Sequence, residues 1–224
     1  MSTTVPLDKK RFIPLENNPE VMSHLAHRLG LSPKLSFHDV YSIDDPDLLA
    51  FENAKMPTYD GAGVDEPVIW FKQTIGNACG LIGLLHGVCN GEAAAYIQPG
   101  SDFEHLMKEA IPLKPEERAE LLYQSATLEA AHQSAAQEGD TVAPPAEETN
   151  YLHFICFVKT GNGHLWELDG GRPGPADRGM LDPEEDVLSE KALQLGVRAF
   201  MAKQAERGGG DLRFSLVALG PALD

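Results

Sequence analysis

An α+β domain is what this sequence predicts, and three observations predict it. Apolar residues Leu81, Leu84, Leu85 and Val88 recur at helical spacing, directly after Val68-Ile-Trp-Phe71, an apolar run with strand character. Leu152–Val158 and Leu165–Leu168 flank Thr160-Gly-Asn-Gly163 as the arms of a hairpin would. A last helical pattern, Leu188, Ala192, Leu195 and Ala199, is followed by the strand-like Leu212–Leu219.

Along the chain, Arg11–Glu16 reads as a short extended piece. Asn18 caps a helix with Pro19 in its first turn, because proline lacks the amide that a first turn leaves unpaired. Val21, Leu25 and Leu29 continue that helix and Gly30 ends it. Leu35–Tyr41 reads as a strand, Ser42–Pro46 as a turn and Asp47–Phe51 as a helical stub. Glu52–Glu66 holds no run of four apolar residues and reads as loop. Gly100-Ser-Asp-Phe-Glu104 is a capping box that opens a helix to about Ala110, and Pro112 breaks it. Pro115 opens another helix, expected to run through Leu121, Leu122 and Leu128 to about Ala131. His132–Asn150 is polar and poor in large apolar residues; loops longer than about 12–15 residues commonly carry function. Arg172–Pro175 turns the chain, and the last helix is expected to open at Leu181-Asp-Pro183 and break at Gly208–Gly210.

Composition narrows the function. At 224 residues the chain is long enough for one large domain with a real core. No apolar run approaches the roughly 20 residues of a membrane span, and Met1–Pro6 has no apolar signal core. A net charge of −16 excludes a role resting on phosphate neutralisation and suits a basic partner. Three cysteines make no disulfide framework, and a reducing compartment, cytosol or nucleus, suits a working thiol. Nothing has metal-ligand spacing, so neither a metal nor a cofactor is expected.

Cys79 is the residue placed for chemistry. With Asn77 as N-cap it would sit two residues inside a helix, whose positive end stabilises thiolate, the nucleophilic form. The plainer reading is a small buried hydrophobe. Partners exist, however. His153 opens one apolar strand, Asp169 ends the next, and Gln73 offers an amide donor six residues before Cys79. Cys89 and Cys156 fall on buried faces. Histidines 24, 27, 38, 86, 105, 132 and 164 are given no role.

Gln73-Thr-Ile-Gly-Asn-Ala-Cys79-Gly, then Leu152-His-Phe-Ile155, then Glu167-Leu-Asp-Gly170 resembles the ubiquitin C-terminal hydrolases, papain-like cysteine peptidases, over Arg11–Leu219. The resemblance implies a papain-like fold: helices flanking a central, mainly antiparallel sheet, in one catalytic domain over residues 1–224. It departs at Glu52–Glu66, where the family's next central strand is missing after Phe51. It implies Cys79 as nucleophile, His153 as general base and acid, Asp169 as its orienter and Gln73 as oxyanion stabiliser. It places residues 132–150 as a crossover loop above the site, restricting leaving groups to small or unfolded ones. It puts Pro14-Leu15-Glu16 near the substrate groove, with Glu16 and Asn77 as candidate contacts. A surface acid and a helix cap are their plainer readings. The implied partner is ubiquitin or a ubiquitin-like protein, met by a monomer. Two other readings stay open: a ubiquitin-binding module impaired by the missing strand, and a redox-sensing thiol.

Overall fold

The computed structural model describes residues 10–39, 58–140, 145, 153–199, 201 and 215–222. The chain order is α1 (Pro19–Leu29), β1 (Leu35–Asp39), α2 (Cys79–Val88), α3 (Asp102–Ala110), α4 (Pro115–Gln124), α5 (Ala126–Ala135), β2 (Cys156–Lys159), β3 (His164–Leu168), β4 (Ala176–Met180), α6 (Glu190–Leu193) and β5 (Val217–Pro221). Among the described residues these five strands pair antiparallel, and Arg11 makes an isolated parallel bridge to Gly76. β1 pairs with β5, and β2-β3-β4 form a separate meander. The architecture is α+β, with the helices around a main core of Leu25, Leu29, Phe71, Leu81, Leu85 and Phe103. Val158 and Leu168 meet Val68 and Trp70 in a second cluster, and Leu165 meets Leu181 and Ala192 in a third. No helix among the described residues is long and apolar enough to cross a membrane.

Local chemistry sets the ends of these elements. Asn18 Oδ1 accepts from the amides of Glu20 and Val21, and Gly30 closes α1 in the left-handed region at φ 109°. Ser101 caps α3 by accepting from Glu104 N, while Glu104 reaches back to Gly100 N.

Several expectations are corrected. Val68–Phe71 is not a strand. Its backbone is satisfied by side chains instead. Asn90 brackets Ile69, accepting from its N–H at 2.8 Å and donating to its carbonyl at 3.0 Å. His86 Nε2 accepts from Phe71 N at 2.9 Å. Tyr59 donates to Val68 O and Arg118 to Trp70 O, each at 3.4 Å. The single helix expected from Pro115 is two, because Ser125 turns to extended backbone and caps α5 at Leu128 N. α5 continues to Ala135, past the expected start of the polar loop, since Leu128, Ala131, His132 and Ala135 form a buried face. The last helix starts at Glu190, capped by Ser189, not at Leu181. Leu188 therefore precedes it, and is 47% exposed rather than inward-facing. The final strand begins at Val217 within the described residues. The expected turn and stub at 42–51, residues 141–144 and 146–150 of the expected loop 132–150, and the break at 208–210 lie outside the described residues. Residues 58–66 are described and contain no strand.

Arg118 joins α4 to this frame. Its side chain is fully buried, donates to the carbonyls of Ala110 and Ile111, and forms a two-nitrogen ion pair with the buried Glu66. Removing one partner of such a pair leaves a charge stranded out of water. Glu66→Ala is expected to cost about 3–5 kcal/mol, read as a fall in the urea midpoint. A change below about 1 kcal/mol would mean that water solvates the guanidinium.

Candidate active site

Cys79 is the first residue of α2, with Ala78 and not Asn77 at the N-cap position. Asn77 has φ 59°, a left-handed conformation that asparagine tolerates better than most residues. The turn it makes delivers Cys79 to the helix end. Leu15 packs on this first turn, so closely that a Cβ on Gly80 would lie 3.0 Å from the Leu15 Cβ.

Strand register supplies the other two groups. β2 and β3 pair with Cys156 opposite Leu168. His153 lies three residues before Cys156 and Asp169 one after Leu168, so both fall at the same end of the hairpin. His153 Nε2 stands 2.7 Å from Asp169 Oδ1, which also accepts from Gly171 N at 2.8 Å. Cys79 and His153 line the same cavity, and the thiol interacts with the imidazole.

Burial raises the Cys79 thiol. The His153 hydrogen bond, the Phe154 backbone amide, the His153 charge and the Gly80 amide outweigh it, and the thiol ends below its ordinary value. Donation to Asp169 and then the interaction with Cys79 lift His153, against burial, to about 10. Burial likewise raises the Asp169 carboxyl, but its bond to His153 and that charge, Gly171 N and Arg172 hold it below the usual carboxylate range. A lowered thiol beside a raised imidazole favours the thiolate–imidazolium pair. Cys89 and Cys156 behave oppositely, since burial pushes both thiols up to about 12. The Cys156 residue is only half-buried, but its Sγ turns inward against Gly87.

These shifts fix a pH profile. Below the lowered Cys79 pKa the sulfur is protonated, and above about 10 the imidazolium proton is lost. Thiol-dependent turnover is expected to rise on an acid limb below the ordinary thiol value of 9.0 and to fall on an alkaline limb near 10. A kcat/KM profile reads it; an acid limb at or above 9.0 would contradict the ion pair.

Cys79 and His153 open onto a cavity of about 210 Å³, lined also by Pro14, Leu15, Gln73, Asn77 and Phe154. Gln73 is there as expected. Its Nε2 donates to Ile75 O at 3.1 Å, which leaves one amide hydrogen for a ligand. Gln73 N donates to Gly170 O at 2.9 Å, tying this side of the cavity to the Asp169 turn. A Cβ on Gly170 would come within 2.8 Å of Ile82 and 3.0 Å of the Gln73 Cβ, so only glycine allows that approach. Glu16 does not line the cavity, and its carboxylate lies against Gly139.

Sequence reasoning missed the supporting residues. His86 is fully buried and neutral, its pKa pushed down to about 3 by burial. Phe71 N donates to its Nε2, so the proton sits on Nδ1, and the ring faces Leu168 and Asp169. Its signal was its place two helical turns after Cys79, on the same face. Trp70 Nε1 donates to Asp169 O at 3.2 Å. His132 Nε2 bonds Ile13 O at 2.6 Å and holds the segment carrying Pro14 and Leu15.

Comparison with known proteins agrees with this geometry. The family model described as ubiquitin carboxyl-terminal hydrolase, family 1, matches residues 12–59 and 52–202. The two stretches meet where Glu52–Glu66 departs from the pattern. A ubiquitin carboxyl-terminal hydrolase of Aplysia californica is 35% identical over 215 residues, covering 88% of this chain and 98% of the relative. The YUH1 ubiquitin carboxyl-terminal hydrolase of Saccharomyces cerevisiae is 30% identical over 238 residues, covering 96% and 98%. Among solved structures, the catalytic domain of Trichinella spiralis UCH37, bound to ubiquitin vinyl methyl ester, superposes with a TM-score of 0.69 at 20% identity, covering 96% of this chain and 97% of that one. That likeness supports the papain-like α+β fold.

Proposed function

The chain belongs to ubiquitin carboxyl-terminal hydrolase family 1, a family of cysteine-type deubiquitinating hydrolases, and we propose that it frees small or unfolded adducts from the C-terminal glycine of ubiquitin through an acyl-enzyme on Cys79. The Cys79 thiolate attacks the glycine carbonyl carbon. The carbonyl electrons move to oxygen, and the Gln73 amide and the Cys79 N–H stabilise the charge. The tetrahedral adduct collapses, the bond to the leaving amine, alcohol or thiol breaks, and His153 gives that group its proton. Water then attacks the thioester with His153 as base, releasing a carboxylate and restoring the thiolate. Asp169 keeps the imidazole in the useful tautomer throughout.

The observation that carries this reading is that Asp169 holds His153 at 2.7 Å while His153, Cys79 and Gln73 line one cavity. A cavity of about 210 Å³ suits an extended tail ending in glycine. The net charge of −16 suits a basic one. We read residues 1–224 as one catalytic domain acting as a monomer, with Asn77 as a contact for the tail. Glu16 is the weaker candidate contact.

The test is ubiquitin carrying a C-terminal fluorescent amide. The expected result is steady release of the fluorophore. The competing reading, a ubiquitin-binding module without turnover, draws on the strandless residues 58–66. It predicts capture of ubiquitin with no release, and that result would overturn the hydrolase.

A further inference from the structure

We propose that Arg172 is a positioning residue for the reaction, holding the Asp169 carboxylate at the angle from which it orients His153; this rests on the catalytic reading of Cys79, His153 and Asp169 above.

Asp169 Oδ1 is occupied by His153 Nε2 and Gly171 N. Its other oxygen would be free to rotate unless something held it. Arg172 Nε lies 3.4 Å from Oδ2. The turn places it there, because Arg172 N donates to Asp169 O at 3.2 Å and folds the side chain back over the carboxylate. The far end of the guanidinium is itself anchored. Arg172 Nη2 is 2.7 Å from Glu167 Oε1, an ion pair rather than an aligned hydrogen bond. Glu167 is 1% exposed and is clamped from β4 by Arg178, through Nε at 3.0 Å and through Nη2. From sulfur outward the charges alternate: Cys79, His153, Asp169, Arg172, Glu167, Arg178. From α2, the other titratable neighbour of Asp169 is His86, which is neutral. Arg172 is thus the cation that links the reacting groups to a fixed support on β3 and β4. The Arg178–Glu167 pair does not depend on it, so the hairpin keeps its clamp when Arg172 is replaced.

Loss of Arg172 lets the carboxylate turn and so loosens the imidazolium. Both act in the same direction, raising the pH at which Cys79 ionises. The experiment is alkylation of Cys79 by iodoacetamide across pH, located by peptide mass, in the unaltered chain, Arg172→Gln, Arg172→Lys and Asp169→Asn. The unaltered chain is expected to alkylate Cys79 at pH 6 well ahead of Cys89 and Cys156. Arg172→Gln is expected to slow it about threefold at that pH, a midpoint shift of about half a unit. Arg172→Lys keeps the charge and is expected to recover part of the rate. In the Asp169→Asn chain, adding Arg172→Gln is expected to change nothing further, since a residue acting through Asp169 has nothing left to act on. An unchanged rate in Arg172→Gln, or the same threefold loss with and without Asp169, overturns the proposal. Slow alkylation of Cys79 in the unaltered chain would instead sink the thiolate–imidazolium reading beneath it. If Arg172→Gln does not fold, Arg172 supports the hairpin as a whole and the positioning role is likewise overturned.

Discussion

Cys79→Ser is expected to lower kcat on ubiquitin adducts by about 10⁴-fold or more, while ubiquitin binding stays within a few-fold. The substitution changes one atom and nearly conserves volume, so a loss on that scale must come from chemistry. The site favours an ionised nucleophile, with the thiol lowered and His153 raised to about 10. A serine hydroxyl does not ionise there. It needs a neutral base at the moment of attack, and at neutral pH His153 already carries its proton. Serine therefore meets an imidazolium that cannot accept from it. Single-turnover release of the fluorophore, beside fluorescence anisotropy of labelled ubiquitin, separates the two quantities. Residual turnover within tenfold of the unaltered chain would mean that Cys79 is not the nucleophile.

Asp169→Asn is expected to reduce kcat/KM at pH 8 by about 10²–10⁴ and to draw the alkaline limb down from near 10 toward the ordinary histidine value of 6.5. The sign follows from the causes. Asp169 is the leading reason that His153 holds its proton, so neutralising it releases that proton at lower pH. Hydrogen bonding worsens too. Asp169 Oδ1 accepts from two donors, His153 Nε2 and Gly171 N. If the asparagine oxygen takes that place, its NH₂ points at Arg172, donor against donor. If the amide flips, it meets the two N–H groups instead. Profiles of kcat/KM from pH 5 to 11 decide it. An alkaline limb that stays near 10 would show that the charge of Asp169 does not hold the imidazolium.

What the sequence disclosed was what short-range chemistry decides. Asn18, Gly30 and Ser101 mark helix ends because caps act on amides a few residues away. The hairpin brought His153 and Asp169 together because register is set by its turn. The misreadings came where distant groups intervened. Val68–Phe71 has strand composition, but the residues that answer its backbone lie up to 48 positions away. Ser125 looked like one more polar residue on a long helix, and only the packing of two helices makes it a cap. Asn77 looked like a cap by type, but the turn needed a left-handed residue there. His86 and His132 looked incidental because a buried histidine is recognised by its partners, Phe71 N and Ile13 O, and not by its neighbours in sequence.

The segment leading to Gln73 draws its hydrogen bonds from the tips of Tyr59, His86, Asn90 and Arg118, not from an adjoining ladder. Ladders tolerate change poorly, because one lost rung shifts every later rung. Contacts made one by one can be edited one by one. A lineage could lengthen, shorten or rewrite the stretch ahead of Tyr59, where this chain parts from its relatives, and the approach to the oxyanion side would keep its course.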